Sequence, residues 1–113
     1  MITLYGIKSC DSVKKAMKFF KTHNLQYEFV DFKQTPVDAA KIALWLEKTD
    51  IKTLFNARST TYRTLKLKEK NLTPQEQQEL LAQENLLIKR PIIEYNDQLV
   101  VAFNETLYKD IFL

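Results

Sequence analysis

The sequence predicts an α/β fold in which a mixed four-stranded sheet is flanked by helices, with a helical insertion in the middle of the chain. Short apolar and β-branched runs near both ends predict the strands. Amphipathic segments with apolar residues at helical spacing lie between them. Two helix starts that contain proline fall between residues 35 and 76, which indicates that the middle of the chain is helical.

The first third of the chain predicts a β-α-β unit. Residues 2–5 form the first strand, a helix follows over about residues 12–23, and residues 27–32 form the second strand. In the helix, apolar residues recur at helical spacing at Val13, Ala16, Met17 and Phe20. A right-handed crossover through this helix makes the two strands parallel neighbours.

The segment after residue 34 predicts helices only. Thr35 and Pro36 open a helix that runs to about residue 48. Thr35 is predicted to cap it, and proline is tolerated at the first helical position because the N–H it lacks has no partner there. Residues 51–71 then predict one or two short helices.

A capping box predicts the last helix of this segment. Thr73 and Glu76 have the spacing at which each side chain accepts a hydrogen bond from the other's backbone N–H, and Pro74 takes the first helical position. The helix ends near residue 84, so the helical insertion covers about residues 37–84. No linker or repeat divides the chain, and we expect a single domain over residues 1–113.

The last part of the chain predicts a β-hairpin and a closing helix. Residues 92–95 and 99–102 are strands joined by a two-residue turn at Asn96 and Asp97, so they pair antiparallel. Asn104 then starts a helix that ends near residue 112. The order β-α-β, helices, then β-β-α is that of the thioredoxin fold with a helical insertion.

Composition excludes several classes of function. With one glycine, the chain has no glycine-rich phosphate loop. The net charge of +3 comes from basic residues scattered among acidic ones, so we expect no direct nucleic-acid binding. No apolar run is long enough for a membrane span. One cysteine and no export signal predict a cytoplasmic protein, and Cys10 and His23 are too few soft ligands for a zinc site. Nothing indicates an oligomer, so we expect a monomer.

Cys10 is the candidate catalytic residue. It follows the first predicted strand and precedes the first predicted helix, where free N–H groups favour an anion. Lys8 and Lys14 add positive charge nearby, whereas Asp11 is acidic and a candidate helix cap. The thiolate is the reactive form of cysteine. The alternative interpretation is a small buried apolar residue.

Three blocks of sequence carry a resemblance to a known family. They are GIKSCDSVKKA at residues 6–16, FNARSTTYR at residues 55–63 and LIKRPII at residues 87–93. Together they resemble the arsenate-reductase-like family (ArsC/Spx type) of the thioredoxin superfamily, and its small YffB-type proteins in particular. The resemblance covers essentially the whole chain. It implies a redox-active or oxyanion-reducing cysteine, glutathione as a thiol partner and a cis-proline loop facing the cysteine.

The resemblance also assigns roles to individual residues. Arg90 matches one of three arginines that arsenate reductases place around their cysteine, and Pro91 matches the proline that follows a cis bond. Arg58 lies near the second arginine but is offset, with Asn56 at the aligned place. The third arginine falls near Ala102, which cannot bind an oxyanion by its side chain. For Arg90, a surface salt bridge is the alternative role.

Two further positions bear on the site. Val13 occupies the place of the second cysteine in the dithiol members, so no local resolving thiol exists. Arg63 flanks the same run of hydroxyl residues as Arg58 and is another candidate for the rim of the thiol site. The hydroxyl residues between the two arginines predict a helix start capped by Ser59 or Thr60.

We therefore expect a monothiol oxidoreductase. Cys10 attacks a disulfide or an electrophilic small molecule, and glutathione, the expected thiol co-substrate, resolves the adduct. Arg58, Arg90, Pro91 and Lys14 are predicted to bind glutathione or substrate. No tightly bound cofactor is expected, and glutaredoxin is a further candidate partner. Two alternatives stay open: an arsenate-reductase-like oxyanion reductase, and an Spx-like regulator that binds RNA polymerase.

Overall fold

The computed structural model describes all residues, Met1–Leu113, as two compact units. The sheet unit comprises Met1–Gln34 and Arg90–Leu113, and the helical unit comprises Thr35–Lys89. The elements in chain order are β1 (Ile2–Gly6), α1 (Asp11–Thr22), β2 (Tyr27–Asp31), α2 (Ala39–Trp45), α3 (Ile51–Leu54), α4 (Thr60–Thr64), α5 (Pro74–Gln83), β3 (Ile92–Tyr95), β4 (Gln98–Val101) and α6 (Glu105–Phe112). Two short 3-10 helices, Leu67–Lys70 and Asn85–Leu87, flank α5.

The sheet unit contains one four-stranded sheet in the order β2-β1-β3-β4. β1 pairs parallel with β2 and antiparallel with β3, and β3 pairs antiparallel with β4. This confirms the predicted mixed sheet, and each predicted strand lies within two residues of the observed one. None of the helices combines the length and the apolar content that a bilayer crossing needs.

One face of the sheet carries the core of this unit, because alternate strand residues point towards α1 and α6. The buried members of this core are Ile2, Leu4, Val13, Ala16, Phe19, Phe20, Ile93, Val100 and Tyr108. Burying an aliphatic or aromatic side chain contributes about 1.5–3 kcal/mol. The apolar face of α1 is the one that its helical spacing predicted, and the lysines of α1 are exposed.

The close approach of α1 to β1 depends on the one glycine of the chain. A β-carbon added to Gly6 would lie 2.6 Å from Cγ2 of Val13, which is closer than carbon atoms pack. Val13 is fully buried, so its side chain has no open space to move into. Gly6 therefore sets the distance between the end of β1 and the first turn of α1.

A Gly6→Ala variant is expected to lower the free energy of unfolding by about 1–3 kcal/mol, because the added methyl group overpacks this contact. Urea unfolding followed by circular dichroism measures the change. Combining it with Val13→Ala provides the control, because the smaller side chain removes the clashing atoms. The double variant should then lose less stability than the sum of the two single variants. Additive losses would show that the clash is not the cause.

A buried asparagine, Asn85, joins the first and last segments of the helical unit through hydrogen bonds. Oδ1 of Asn85 accepts a hydrogen bond from the N–H of Val37 at 2.7 Å. Nδ2 of Asn85 donates to the carbonyls of Val37 at 3.2 Å and Leu81 at 2.9 Å. The side chain is almost fully buried, and these bonds satisfy polar groups that would otherwise be costly to bury.

The helix starts in this unit follow the predictions with one correction. Thr73 and Glu76 form the predicted capping box at the start of α5. The predicted cap at Thr35 is wrong, because α2 starts at Ala39 and Asp38 caps it by accepting from the N–H of Lys41 at 3.0 Å. Thr35 and Pro36 instead precede this helix in an irregular segment.

Asp50, which caps α3, should make the free energy of unfolding depend on pH. Oδ1 of Asp50 accepts a hydrogen bond from the N–H of Thr53 at 2.6 Å, and this bond lowers the pKa of Asp50 below its ordinary value of 3.8. The folded state thus favours the charged form, so the contribution of Asp50 is complete above the unfolded-state pKa. It is lost as the pH falls through the lower folded-state pKa.

An Asp50→Asn variant separates this effect, because asparagine caps helices about as well but does not titrate. We expect the wild type to lose more stability than the variant between about pH 7 and about pH 3 in urea unfolding experiments. Equal losses would contradict a titrating cap.

Candidate active site

The loop that contains Cys10 and the loop that contains Pro91 lie side by side at one end of the sheet. Tyr5 of β1 pairs with Ile92 of β3 in antiparallel register, so the end of β1 lies beside the start of β3. Residues 7–10 follow β1 directly, and Arg90 and Pro91 directly precede β3. The sheet register therefore brings the cysteine loop and the proline loop to the same edge of the sheet unit.

Cys10 occupies the N-cap position of α1. Its backbone has extended dihedral angles, and its carbonyl accepts the first helical hydrogen bond from the N–H of Lys14 at 3.0 Å. The N–H of Cys10 donates to the carbonyl of Ile7 at 3.3 Å, which closes the turn after β1. The thiol makes no capping hydrogen bond, and Cys10 is a free cysteine with an intermediate degree of burial. It contacts the edge of the core but keeps part of its surface in solvent.

The side chains flanking Cys10 are mostly charged and exposed. Lys8 lies before it, and Lys14 lies one helical turn after it, as predicted. Asp11 is the first residue of α1, so its predicted role as a helix cap is wrong, because Cys10 holds that position. The exposed acid and the two lysines leave a local excess of positive charge around the thiol.

The proline loop has the predicted backbone geometry. The peptide bond between Arg90 and Pro91 is cis. Pro91 is buried, and its carbonyl accepts a hydrogen bond from the N–H of Ala102 at 2.8 Å. Arg90 is half-buried, and its Nε atom is shielded from solvent. Arg90 is therefore part of the packed edge of the sheet unit rather than a fully solvated surface charge.

A third segment, at the end of β4, completes this edge. The resemblance placed the third arginine position near Ala102, but the backbone conformation of Ala102 was not predicted. Ala102 has a φ of 70°, in the left-handed region that side chains other than glycine rarely adopt. Its carbonyl accepts a hydrogen bond from the hydroxyl of Tyr108 at 3.0 Å. Burial raises the pKa of Tyr108, so the hydroxyl keeps its proton and remains a donor at neutral pH. The residue types around Ala102 do not signal this conformation, since alanine rarely adopts it.

Arg58 and Arg63 belong to the helical unit, on either side of the start of α4. The helix is capped by Ser59, whose Oγ accepts from the N–H of Tyr62 at 3.1 Å, which confirms one of the two predicted caps. Both arginines are exposed. The structure describes Arg58 within its own unit, so its association with Cys10 stays a prediction.

The structure also has no side chains grouped so that they could bind a metal ion together. No group of three or more histidine, cysteine, aspartate and glutamate side chains is arranged to hold a metal ion. The edge of the sheet unit carries one thiol, one guanidinium, nearby lysines and backbone groups.

A mixed sheet of this order, a cysteine at the start of the first helix and a cis-proline before β3 define a thioredoxin-like protein. The family can be stated more narrowly, because the ArsC family model matches residues 5–111. The chain belongs to the ArsC family, and the resemblance predicted from its three sequence blocks is confirmed.

Individual relatives fall into more than one branch. The solved structure of the YffB protein is 30% identical, covers all of both chains and superposes with a TM-score of 0.92. A possible arsenate reductase from Streptococcus mutans is 31% identical over 100% of this chain and 98% of its own, with a TM-score of 0.82. The global transcriptional regulator Spx of Listeria innocua is 31% identical over 93% of this chain and 82% of its own. The chain is thus similar to arsenate-reductase-like and to Spx-like members.

Proposed function

We propose that the protein is a glutathione-dependent thiol oxidoreductase with a monothiol mechanism. The observation that carries the proposal is the placement of Cys10, a partly exposed thiol at the N-cap of α1, on the same edge of the sheet unit as Arg90 and Pro91. Val13, where a second cysteine would follow the first by three positions, is fully buried. The chain has no other cysteine, so a second thiol has to come from solution.

The reaction consists of two thiol–disulfide exchanges. In the first, the Cys10 thiolate attacks the glutathione sulfur of a mixed disulfide, a Cys10–glutathione bond forms, and the substrate leaves as a thiolate. In the second, the thiolate of another glutathione molecule attacks that bond, which releases glutathione disulfide and regenerates the Cys10 thiolate. In sum, the substrate is released as a thiol, one free glutathione is consumed, and it leaves joined to the glutathione of the mixed disulfide as glutathione disulfide.

Each remaining site residue has a role in binding. Arg90 can hold a carboxylate of glutathione in a two-point contact, because its guanidinium is planar and permanently charged. Pro91 shapes the loop that faces the bound thiol, and Lys14 adds positive charge beside the sulfur. Arg58 is assigned to the anionic part of glutathione on the strength of the family resemblance. We further propose a cytoplasmic monomer that holds no cofactor tightly and whose Cys10–glutathione adduct can also be removed by exchange with the thiol of a glutaredoxin.

Mass spectrometry tests the proposal directly. The reduced protein, mixed with glutathione disulfide, is expected to gain one glutathione, and added reduced glutathione should remove it. An Arg90→Gln variant should need about tenfold more glutathione disulfide for half-maximal adduct formation, because a charge-assisted contact is lost. Lys109→Gln, which removes an exposed positive charge from α6, is the control. Absence of any adduct on the wild-type protein would refute the proposal.

The similarity to Spx supports a second candidate, a regulator that binds RNA polymerase without redox chemistry. In that case a Cys10→Ser variant would retain polymerase subunits in a pull-down as well as the wild type does, and the wild type would show no glutathione adduct. Failure of the wild type to retain any polymerase subunit would exclude this candidate.

The similarity to the Streptococcus mutans protein supports a third candidate, an oxyanion reductase. Arsenate turnover coupled to glutathione and glutaredoxin would establish it, and no turnover at high enzyme concentration would exclude it. The residue at the third arginine position is Ala102, whose methyl group offers no donor to an oxyanion, so we place this candidate behind the thiol oxidoreductase.

A further inference from the structure

We propose that a groove between α1 and the start of α6 binds an acidic, partly apolar segment of the substrate, whose glutathionylated cysteine then reacts with Cys10. The inference rests on the proposed function, because it names the class of substrate that the same thiol accepts. The residues that line the groove belong to the sheet unit, as Cys10 and Pro91 do.

The groove is an open cavity of about 500 Å³ with two aromatic side chains at its base. Ligand sites in proteins usually have volumes of about 300–1,000 Å³. Phe19 of α1 is buried, and Phe103 is half-buried. The ring of Phe103 packs against that of the buried Tyr108 at a centroid distance of 5.0 Å, so it is held in place. An aliphatic or aromatic side chain of a bound segment would leave water by packing on these rings.

The charged side chains around the groove are mostly basic. Lys15 and Lys18 line it from α1, His23 lines it at the end of that helix, and Glu105 is the one acidic residue. Neither lysine is paired with an acidic side chain, whereas Oε2 of Glu105 lies 3.9 Å from Nζ of Lys109. The acid is thus partly neutralised, and the two ammonium groups are free to pair with carboxylates of a ligand.

The groove extends along α1 from the edge that carries the thiol. Because an α-helix rises about 1.5 Å per residue, Lys15 and Lys18 lie about 7 and about 12 Å along the helix axis from Cys10. On the opposite wall, Phe103 directly follows the residue whose N–H donates to the carbonyl of Pro91. An extended peptide advances about 3.3 Å per residue, so acidic side chains about two to four positions from the reacting cysteine reach these lysines.

The substrate class is therefore a glutathionylated protein segment with acidic residues and an apolar residue close to its cysteine. The Cys10 thiolate attacks the glutathione sulfur, and the electron pair of the broken disulfide bond leaves with the sulfur of the segment, which takes a proton from solvent. Contacts in the groove hold the reacting disulfide near Cys10 and so convert a chance encounter into an oriented one.

Two glutathionylated peptides test the inference. One carries a leucine and three glutamates on each side of its cysteine, and the other has glutamines in place of the glutamates. Transfer of glutathione to Cys10, followed by rapid quenching and mass spectrometry, should be about tenfold faster from the acidic peptide. The reaction of each peptide with free glutathione corrects for intrinsic reactivity. Added salt should reduce the difference, because it screens exposed charges.

Variants locate the source of this preference. Lys15→Gln and Lys18→Gln should each lower the ratio of the two rates about threefold, as expected for the loss of an exposed charge pair. Glu105→Gln should raise the ratio about twofold, because it removes a repulsive charge from the groove. Lys21→Gln is the matched control, since it removes the same charge from an exposed position of the same helix that does not line the groove.

An acidic peptide that reacts no faster than its glutamine counterpart would overturn the inference. So would an equal effect of Lys21→Gln and Lys18→Gln, which would show that net charge alone is responsible. If neither peptide transfers glutathione, the proposed function fails, and NMR of the protein with the unmodified acidic peptide, its cysteine replaced by serine, decides on the groove separately. Amide shifts at Lys18 and Phe103 that weaken in Lys18→Gln would support binding there, and unshifted signals would refute it.

Discussion

A Cys10→Ser variant is expected to form no glutathione adduct and to lose disulfide exchange activity by at least about a thousandfold, which is the order of loss when an enzyme nucleophile is removed. The hydroxyl of serine is a poor nucleophile unless an adjacent base activates it. Because Cys10 is the only cysteine, no other thiol can replace it. Mass spectrometry after incubation with glutathione disulfide measures the loss.

The same substitution should make the protein more stable. Cys10 holds the N-cap position of α1 without a side-chain capping bond, whereas serine at this position accepts a hydrogen bond from a free N–H of the first turn. Relative to Cys10→Ala, the serine variant should gain about 0.5–2 kcal/mol in the free energy of unfolding. Urea unfolding of the wild type and of the two variants measures both the gain over the wild type and the difference between the variants. A serine variant no more stable than the alanine variant would show that the start of α1 is not open to capping.

Together, loss of adduct formation and a gain in stability would show that Cys10 serves the activity at a cost in stability. A residue chosen only for packing or helix stability at this position would be serine, threonine, aspartate or asparagine. A chain that keeps a thiol there gives up a good cap at the start of its longest helix. Loss of function with a gain in stability is the pattern expected of an active-site residue.

The largest effect on stability is expected from Tyr108→Ala, which should lower the free energy of unfolding by about 3–5 kcal/mol. The side chain is fully buried. Its ring contacts four other rings at centroid distances of 5.0 to 5.8 Å, those of Phe19, Phe20, Phe103 and Phe112. Alanine would leave a cavity between α1, α6 and the end of β4, and the loss would be a large part of a typical total stability of about 5–15 kcal/mol.

Tyr108→Phe is the matched control, because it keeps the ring and removes only the hydrogen bond to the carbonyl of Ala102. This change should cost about 0.5–1.5 kcal/mol. Urea unfolding monitored by circular dichroism measures both variants. A phenylalanine variant as unstable as the alanine variant would show that the hydroxyl, rather than the ring, carries the stabilisation, and would contradict the packing argument.

Much of the fold follows from local sequence signals. The strands and the amphipathic helix α1 could be predicted because alternation and helical spacing reflect burial on one face. The capping box at Thr73 and Glu76 could be predicted because its hydrogen bonds form within one turn. The cap of α2 could not, because Thr35 and Asp38 are both good caps and the choice depends on contacts made elsewhere by the chain. One such contact is the bond between Val37 and Asn85, 48 residues apart.

The candidate site, like the fold, could be predicted only in part. Cys10 and the cis bond before Pro91 were predicted, the first from its place between a strand and a helix, the second from resemblance. The left-handed backbone of Ala102 and the contact of Arg63 with the carbonyl of Arg58 were not. In each case a side chain from another turn or helix donates to a backbone carbonyl, and residue types alone do not indicate such a bond.

The contact between Gly6 and Val13 has a kinetic consequence. When a second thiol lies close to the modified cysteine, the two can form a disulfide in a unimolecular step. The rate of that step does not depend on the concentration of other thiols. Here the place of that thiol is filled by an aliphatic side chain wedged against β1. In the proposed mechanism, a thiol from another molecule must therefore remove the Cys10 adduct, so the lifetime of the adduct is inversely proportional to the concentration of free thiol.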